Sequence, residues 1–158
     1  MCPVDHRKRP RAECDRQLKS SVMKLDRQAH ILGLPKFWHP EHCRRVTSLL
    51  ETTKGREKFR NMLPHNFVAD PMAVVLTPKG PAERAATLAE LTKLGAPALC
   101  YVVSEKSTWD DKVMELKEFV LGDLIGSEQG TLVSCIAGRL AYFNGEEQHQ
   151  RFIIFRKA

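Results

Sequence analysis

The chain has 158 residues, 42% of them hydrophobic and 28% charged, with a formal net charge of +6. These proportions fit one globular domain able to bury its own core. They argue against a wholly disordered chain or a fibrous repeat, and no apolar run approaches the roughly 20 residues that a membrane-spanning helix needs. The charge is segregated: residues 1–60 hold 15 Lys and Arg against 7 Asp and Glu, whereas residues 61–158 hold 10 against 12. A cationic module joined to a nearly neutral body points to an anionic partner for the leading part.

Residues 1–10 combine Pro3 and Pro10 with the cluster Arg7-Lys8-Arg9, and they read as a flexible basic arm. No apolar stretch follows these charges, so a secretory signal is not expected and the cytoplasm is the expected compartment. From Arg11 to Leu32, Cys14, Leu18, Val22, Leu25, Ala29 and Leu32 recur at helical steps, with Arg11, Arg16, Lys19, Lys24 and Arg27 on the other faces. Gly33 and Pro35 supply a stop. A second helix is expected from His39-Pro40-Glu41, burying Cys43, Val46, Leu49 and Leu50. Gly55 is expected to break it. A third, Arg56 to Leu63, turns Phe59, Met62 and Leu63 inward and ends at Pro64. The chain thus divides into an arm (1–10), a basic helical region (11–63) and a body (64–158), with the last two in one compact domain.

In the body, Ala73–Thr77 reads as a buried strand, Ala82–Leu94 as a helix and Ala98–Val103 as a second strand. That strand–helix–strand unit suits a parallel pair with a right-handed crossover. A helix starting at Ser107 or Thr108 follows, burying Val113, Leu116, Phe119, Val120 and Leu124. Thr131–Ile136, Arg139–Phe143 and Arg151–Phe155 then form an antiparallel meander, with Asn144-Gly145 as a hairpin signal. The expected fold is α/β or α+β: a mixed sheet of about five strands flanked by helices.

Three functions compete. The leading one is a non-catalytic binding module. Arg7, Lys8, Arg9, Arg11, Arg16, Lys19, Lys24 and Arg27, helped by Arg44 and Arg45, would engage an anionic partner, either nucleic acid or an acidic protein surface. The second is a small enzyme working at the strand ends near Thr77, Lys79, Ser104 and Glu105. The third is self-association through the stripe carrying Leu18, Val22 and Leu25, which resembles a short coiled-coil seam.

Other features favour structural roles. Cys2, His6, Cys14, His30, His39, His42 and Cys43 lack the paired spacing of a zinc site, so no metal is expected. Thr77-Pro78-Lys79-Gly80-Pro81 lacks the pattern of a phosphate-binding loop, and no cofactor is expected. Glu115-Leu116-Lys117 mimics a nuclease element but falls in a helix-period segment. The acids Asp110 and Asp111 read as an exposed helix start. Ser104 and Ser134 have no nucleophile elbow around them, and His65 and His149 have no evident partner. The five cysteines read as free thiols, with Cys100 and Cys135 as small core hydrophobes.

Overall fold

The computed structural model describes residues 25–158. The arm 1–10 and the expected helix as far as Lys24 lie outside them, together with Leu18, Val22, Arg7, Lys8, Arg9, Arg11, Arg16 and Lys19.

The fold is α+β, built on an open six-stranded sheet in the order β1-β6-β5-β4-β2-β3, antiparallel throughout. The strands are β1 (Val74–Val75), β2 (Leu99–Ser104), β3 (Lys112–Glu115), β4 (Thr131–Ile136), β5 (Leu140–Asn144) and β6 (Arg151–Phe155). The central strands read as continuous apolar runs because both sheet faces are covered. Cys100, Val102, Val133, Leu140, Tyr142 and Ile153 point to one face, under α4 (Glu83–Lys93) and α5 (Leu116–Phe119), which continues as a π-helical turn, Val120–Leu124. Tyr101, Val103, Leu132, Ala141, Phe143 and Ile154 point to the other. There α1 (Arg27–Gly33), a 3-10 turn (Leu34–Phe37), α2 (Cys43–Leu50) and α3 (Thr53–Asn66) supply Leu34, Phe37, Trp38, Val46, Phe59 and Leu63. Leu25, proposed above for self-pairing, packs half-buried against this second core.

Several expectations are corrected. The first two strands are not a parallel pair. β1 lies at one edge, antiparallel to β6 with Val74 opposite Ile154, while β2 lies between β4 and β3. A helix of α4's length can carry the chain across a sheet as readily as to its neighbour, and the Ile153-Ile154 pair offers β1 an apolar match. The segment after residue 107 does not start as a helix. Asp111, at φ 58°, turns the chain back so that Lys112–Glu115 pairs with β2 as the sixth strand. The helix starts only at Leu116, where Glu115 accepts the Glu118 N–H at 2.9 Å. The first helix is not continuous to Leu32 either. Asp26 is extended and caps α1 by accepting from Ala29 N–H at 3.0 Å. Gly55 does not break the helices; it sits in the first turn of α3, where Thr52 accepts its N–H at 3.0 Å. Pro64 lies inside α3 rather than ending it, and packs against Gly130.

β1 is a short outer edge. Met72 and Leu76 beside it are 93% and 80% exposed, and Pro71 and Pro78 flank the segment.

The helical layer meets the β4–β5 turn at Gly33. A Cβ there would come within 2.4 Å of Gly138 N, whereas one on Gly122 would meet nothing within 4 Å. Gly33→Ala is therefore expected to cost about 1–3 kcal/mol through forced backbone displacement, and Gly122→Ala to stay within about 0.5 kcal/mol of the parent. Urea unfolding of the two variants measures the contrast.

Candidate functional site

The basic face is formed by α2 and α3. In α2, Val46 turns inward and Arg44 and Arg45 stay exposed. In α3, Phe59 and Leu63 anchor the helix, which leaves Lys54 and Lys58, one turn apart, in solvent. Arg45 lines two grooves. One, of about 340 Å³, has Trp38, Val46, Met62 and Phe67 among its apolar walls and His42 and His65 among its polar ones. The other, of about 290 Å³, is lined by Ser48, Leu49, Thr52, Lys54, Gly55 and Lys58. Among the described residues, Arg44, Arg45, Lys54 and Lys58 form no ion pair with a carboxylate. The positive end of the α3 dipole opens into the second groove. Glu51, just past the end of α2, and Glu57 on α3 temper the charge. Lys54 and Lys58 are absent from the sequence-based set. Their four-residue spacing opposite the Phe59–Leu63 stripe is the signal that picks them out.

The other arginines of this layer pair with acids of the body. Arg27 donates to Asp111 through Nε at 2.9 Å and through Nη2 to the second oxygen. The Tyr101 hydroxyl donates to Asp111 at 2.6 Å and accepts from Arg56 at 2.7 Å. Asp110 takes the Ser104 N–H at 3.1 Å and lies 3.3 Å from Arg60 and 3.6 Å from Arg56. Burial acts to raise the Asp111 carboxyl, but hydrogen bonds from Arg27 and Tyr101 and the charge of Arg56 hold it below its usual range. Burial, and then the bond to Asp111, push the Tyr101 phenol upward. So Asp110 and Asp111 are not an exposed helix start. They bind the helical layer to the sheet, and Arg27 is committed to a carboxylate of the body.

His30 of α1 places Nδ1 2.7 Å from Ser134 Oγ on β4, with both residues buried. The distance is that of a base and its nucleophile, but Ser134 is completely enclosed, so the contact fixes α1 to the sheet. Burial pulls His30 below its usual value, against a smaller opposing effect of Asp26.

The residues of the enzyme reading lie at one end of the sheet but apart, Thr77 and Lys79 just after edge strand β1 and Ser104 and Glu105 at the end of β2, on the far side of β6, β5 and β4. Ser104, Thr131, Asn144 and Arg151 stand opposite one another in a cross-strand row on the α4 face. Ser104 and Thr131 share a 2.7 Å bond, and Glu105 accepts the Gly130 N–H at 2.8 Å. Lys79 donates to the Arg151 carbonyl and lies 3.6 Å from Glu83, which is 3.1 Å from Arg151 Nε. Burial lowers the Lys79 ammonium. Thr77 Oγ1, Glu83 Oε1, Thr87 Oγ1, Tyr142 OH, Asn144 Oδ1 and Arg151 Nε are buried here without an aligned hydrogen-bond partner.

The remaining candidates are placed as follows. Cys43 points its thiol at the Pro35 carbonyl, 3.1 Å away. No group of three or more potential metal ligands forms among the described residues. Glu115-Leu116-Lys117 straddles the end of β3 and the start of α5. His65 and His149 are exposed. No described helix is long and apolar enough to cross a membrane. The chain matches no protein-family profile, no curated protein and no solved structure.

Because the folded state holds His30 below its unfolded value of about 6.5, the unfolded chain takes up the proton first as the pH falls. This site's contribution is complete above that value and declines as the pH drops through it. Unfolding midpoints measured from pH 8 to pH 5 are expected to fall, and His30→Gln to flatten that slope. Tyr101→Phe removes the hydroxyl that joins Arg56 to Asp111 and is expected to cost about 1–3 kcal/mol in the same assay.

Proposed function

We propose that this chain is a non-catalytic binding module that takes an anionic partner on the α2–α3 face. One observation carries the reading: Arg45 sits between two grooves whose other exposed cations are Lys54 and Lys58. Arg44 adds charge beside them, and the lysines and arginines of residues 7–24 add more in sequence. Three cations, Arg45 shared by both grooves and Lys54 and Lys58 in the second, suit a polymer carrying several charges better than a single small anion. A nucleic-acid strand is the favoured partner, with its phosphates at Arg45, Lys54 and Lys58. The half-buried Phe67 and Met62 give the larger groove an apolar wall for the less polar part of such a strand. An acidic protein surface is the competing partner.

The strand-end row favours a second reading, a small enzyme, because several polar groups converge there under cover. Its best-placed residues for chemistry are Lys79, Glu83, Tyr142 and Arg151. Against it, Ser104 and Glu105 already have partners within the fold.

A labelled single-stranded 20-mer titrated with the full chain at several salt concentrations separates these readings. Binding is expected to weaken steeply with salt, by a slope of about 0.7 per phosphate neutralised. Arg45→Ala, Lys54→Ala and Lys58→Ala together are expected to weaken it at least tenfold and to reduce the slope by about 2. Glu83→Gln is expected to leave it unchanged. An unaffected triple variant would refute the α2–α3 face. Tighter binding of polyglutamate than of the oligonucleotide would favour an acidic protein partner instead.

A further inference from the structure

The larger groove beside Arg45 has a rigid aromatic wall. Phe67 follows α3 directly, and rings from three other segments hold it. Trp38 stands perpendicular to it at 4.4 Å, Phe143 of β5 lies at 4.3 Å and Phe152 of β6 at 6.1 Å. Trp38 itself lies 5.0 Å from Phe59. The His39 N–H bonds the Val68 carbonyl at 2.8 Å, which ties the segment after Phe67 to the segment after Trp38. The wall is therefore set before anything binds, and a ligand pays little to order it. Trp38 is only 2% exposed, yet it lines the groove. Its backbone N–H bonds the Pro35 carbonyl and its own carbonyl faces the Cys43 thiol, but its indole N–H has no acceptor among the described residues. Asn66, exposed at the end of α3, brings a donor and an acceptor to the same lining. At about 340 Å³ the groove lies near the lower end of the roughly 300–1,000 Å³ of small-molecule sites.

We infer that this groove takes one unpaired nucleobase of a single strand, whose neighbouring phosphates run over Arg45 towards Lys54 and Lys58. This rests on the reading of the α2–α3 face as a nucleic-acid surface, and adds what that surface selects. Arg45 lines both grooves, so a phosphate held there lies between the base site and the lysines. A planar base suits a slot with aromatic and thioether walls and few polar groups. Its apolar surface meets the half-buried Met62 and Phe67, and its edge offers an acceptor to the Trp38 indole and partners to Asn66. An acidic peptide satisfies the cations but brings no obligatory planar ring to the aromatic end. A duplex fails for another reason: its bases are already paired and stacked, and none reaches a protein groove unless it is flipped out at a cost. The outcome is an inverted preference. Charge alone favours the duplex, which carries twice the phosphates, whereas the groove favours the single strand.

The test titrates the full chain, at one salt concentration, against a labelled thymidine 20-mer, an abasic 20-mer with the same phosphates, the thymidine strand paired with its complement, and thymidine monophosphate. The thymidine strand is expected to bind at least about fivefold more tightly than the abasic strand, the scale of one stacked base, and more tightly than the duplex. His42→Ala with Asn66→Ala, and separately Phe67→Leu, are expected to bring the two strands within about twofold of each other without weakening the abasic one. Should Phe67→Leu fail to fold, the variant at His42 and Asn66 decides alone. Equal binding of the two strands by the parent chain overturns the base site and leaves the α2–α3 face as an anion surface. No binding of any probe overturns both. A duplex that binds more tightly than the single strand overturns the inference, as does a base advantage that survives in the folded variants. So does thymidine monophosphate binding as tightly as the strand, which would assign the groove to a free nucleotide.

Discussion

The Asp111 carboxylate collects hydrogen bonds from the Arg27 guanidinium and the Tyr101 hydroxyl, with Arg56 behind both. Tyr101 comes from β2, next to the edge strand β3, Arg27 from the first turn of α1 and Arg56 from α3, so one acid ties two helices to one strand. Each bond to a charged group contributes about 1.5–3 kcal/mol where water is excluded. Asp111 remains about one-third exposed, which reduces that figure by solvent screening. The larger effect is on position. With the helices anchored at this node and by Phe59 and Leu63 in the core, α3 has a fixed rotation. That rotation puts Arg56 and Arg60 against the body and Lys54 and Lys58 in solvent. Positive charge on the outer face follows from negative charge on the inner one.

How much of this was legible in the sequence depends on whether the deciding contact was local. α4 was expected over Ala82–Leu94 and runs Glu83–Lys93, and the last three strands fall within a residue or so of their expected bounds. Their apolar periods and turn residues lie within a dozen positions of one another. Sheet order was not legible, because strands buried on both faces show no alternation that would identify their neighbours. β3 was hidden for a related reason. Val113, Leu116, Phe119 and Val120 have helical spacing, yet Val113 belongs to a strand and is largely exposed, while the other three belong to the helix that follows. The left-handed backbone at Asp111 that separates them carries no warning in an aspartate. The same limit applied to the candidate site. Arg44 and Arg45 declared themselves by adjacency, whereas the commitment of Arg27 to a residue 84 positions away did not.

The two faces of the sheet handle buried polarity differently. On the α1 side most buried polar groups meet a partner from another element, as His30 meets Ser134 and Tyr101 meets Asp111, although Arg60 Nε is buried without one. On the α4 side the polar groups gather in one row at the strand ends, and several lack aligned partners. A buried unpaired group costs about 1–3 kcal/mol, so such a concentration is tolerated only where other contacts compensate. The Glu83–Arg151–Lys79 charges and the dense apolar rows beside them provide that compensation.

The outer edge at β1 has a consequence for how the sheet ends. The Phe155 N–H bonds the Ala73 carbonyl, so with Val74 opposite Ile154 the alternation turns the amide and carbonyl of Val74 outward, and those of Leu76 with them. An incoming strand would find a short rung of donors and acceptors with oily side chains beside it, the setting in which sheets recruit further chains. Pro71 and Pro78 close the rung at both ends, since neither offers an amide hydrogen. Templated growth is thereby held to a stretch too brief to nucleate a fibre, and the exposed Met72 and Leu76 are tolerated without a cap.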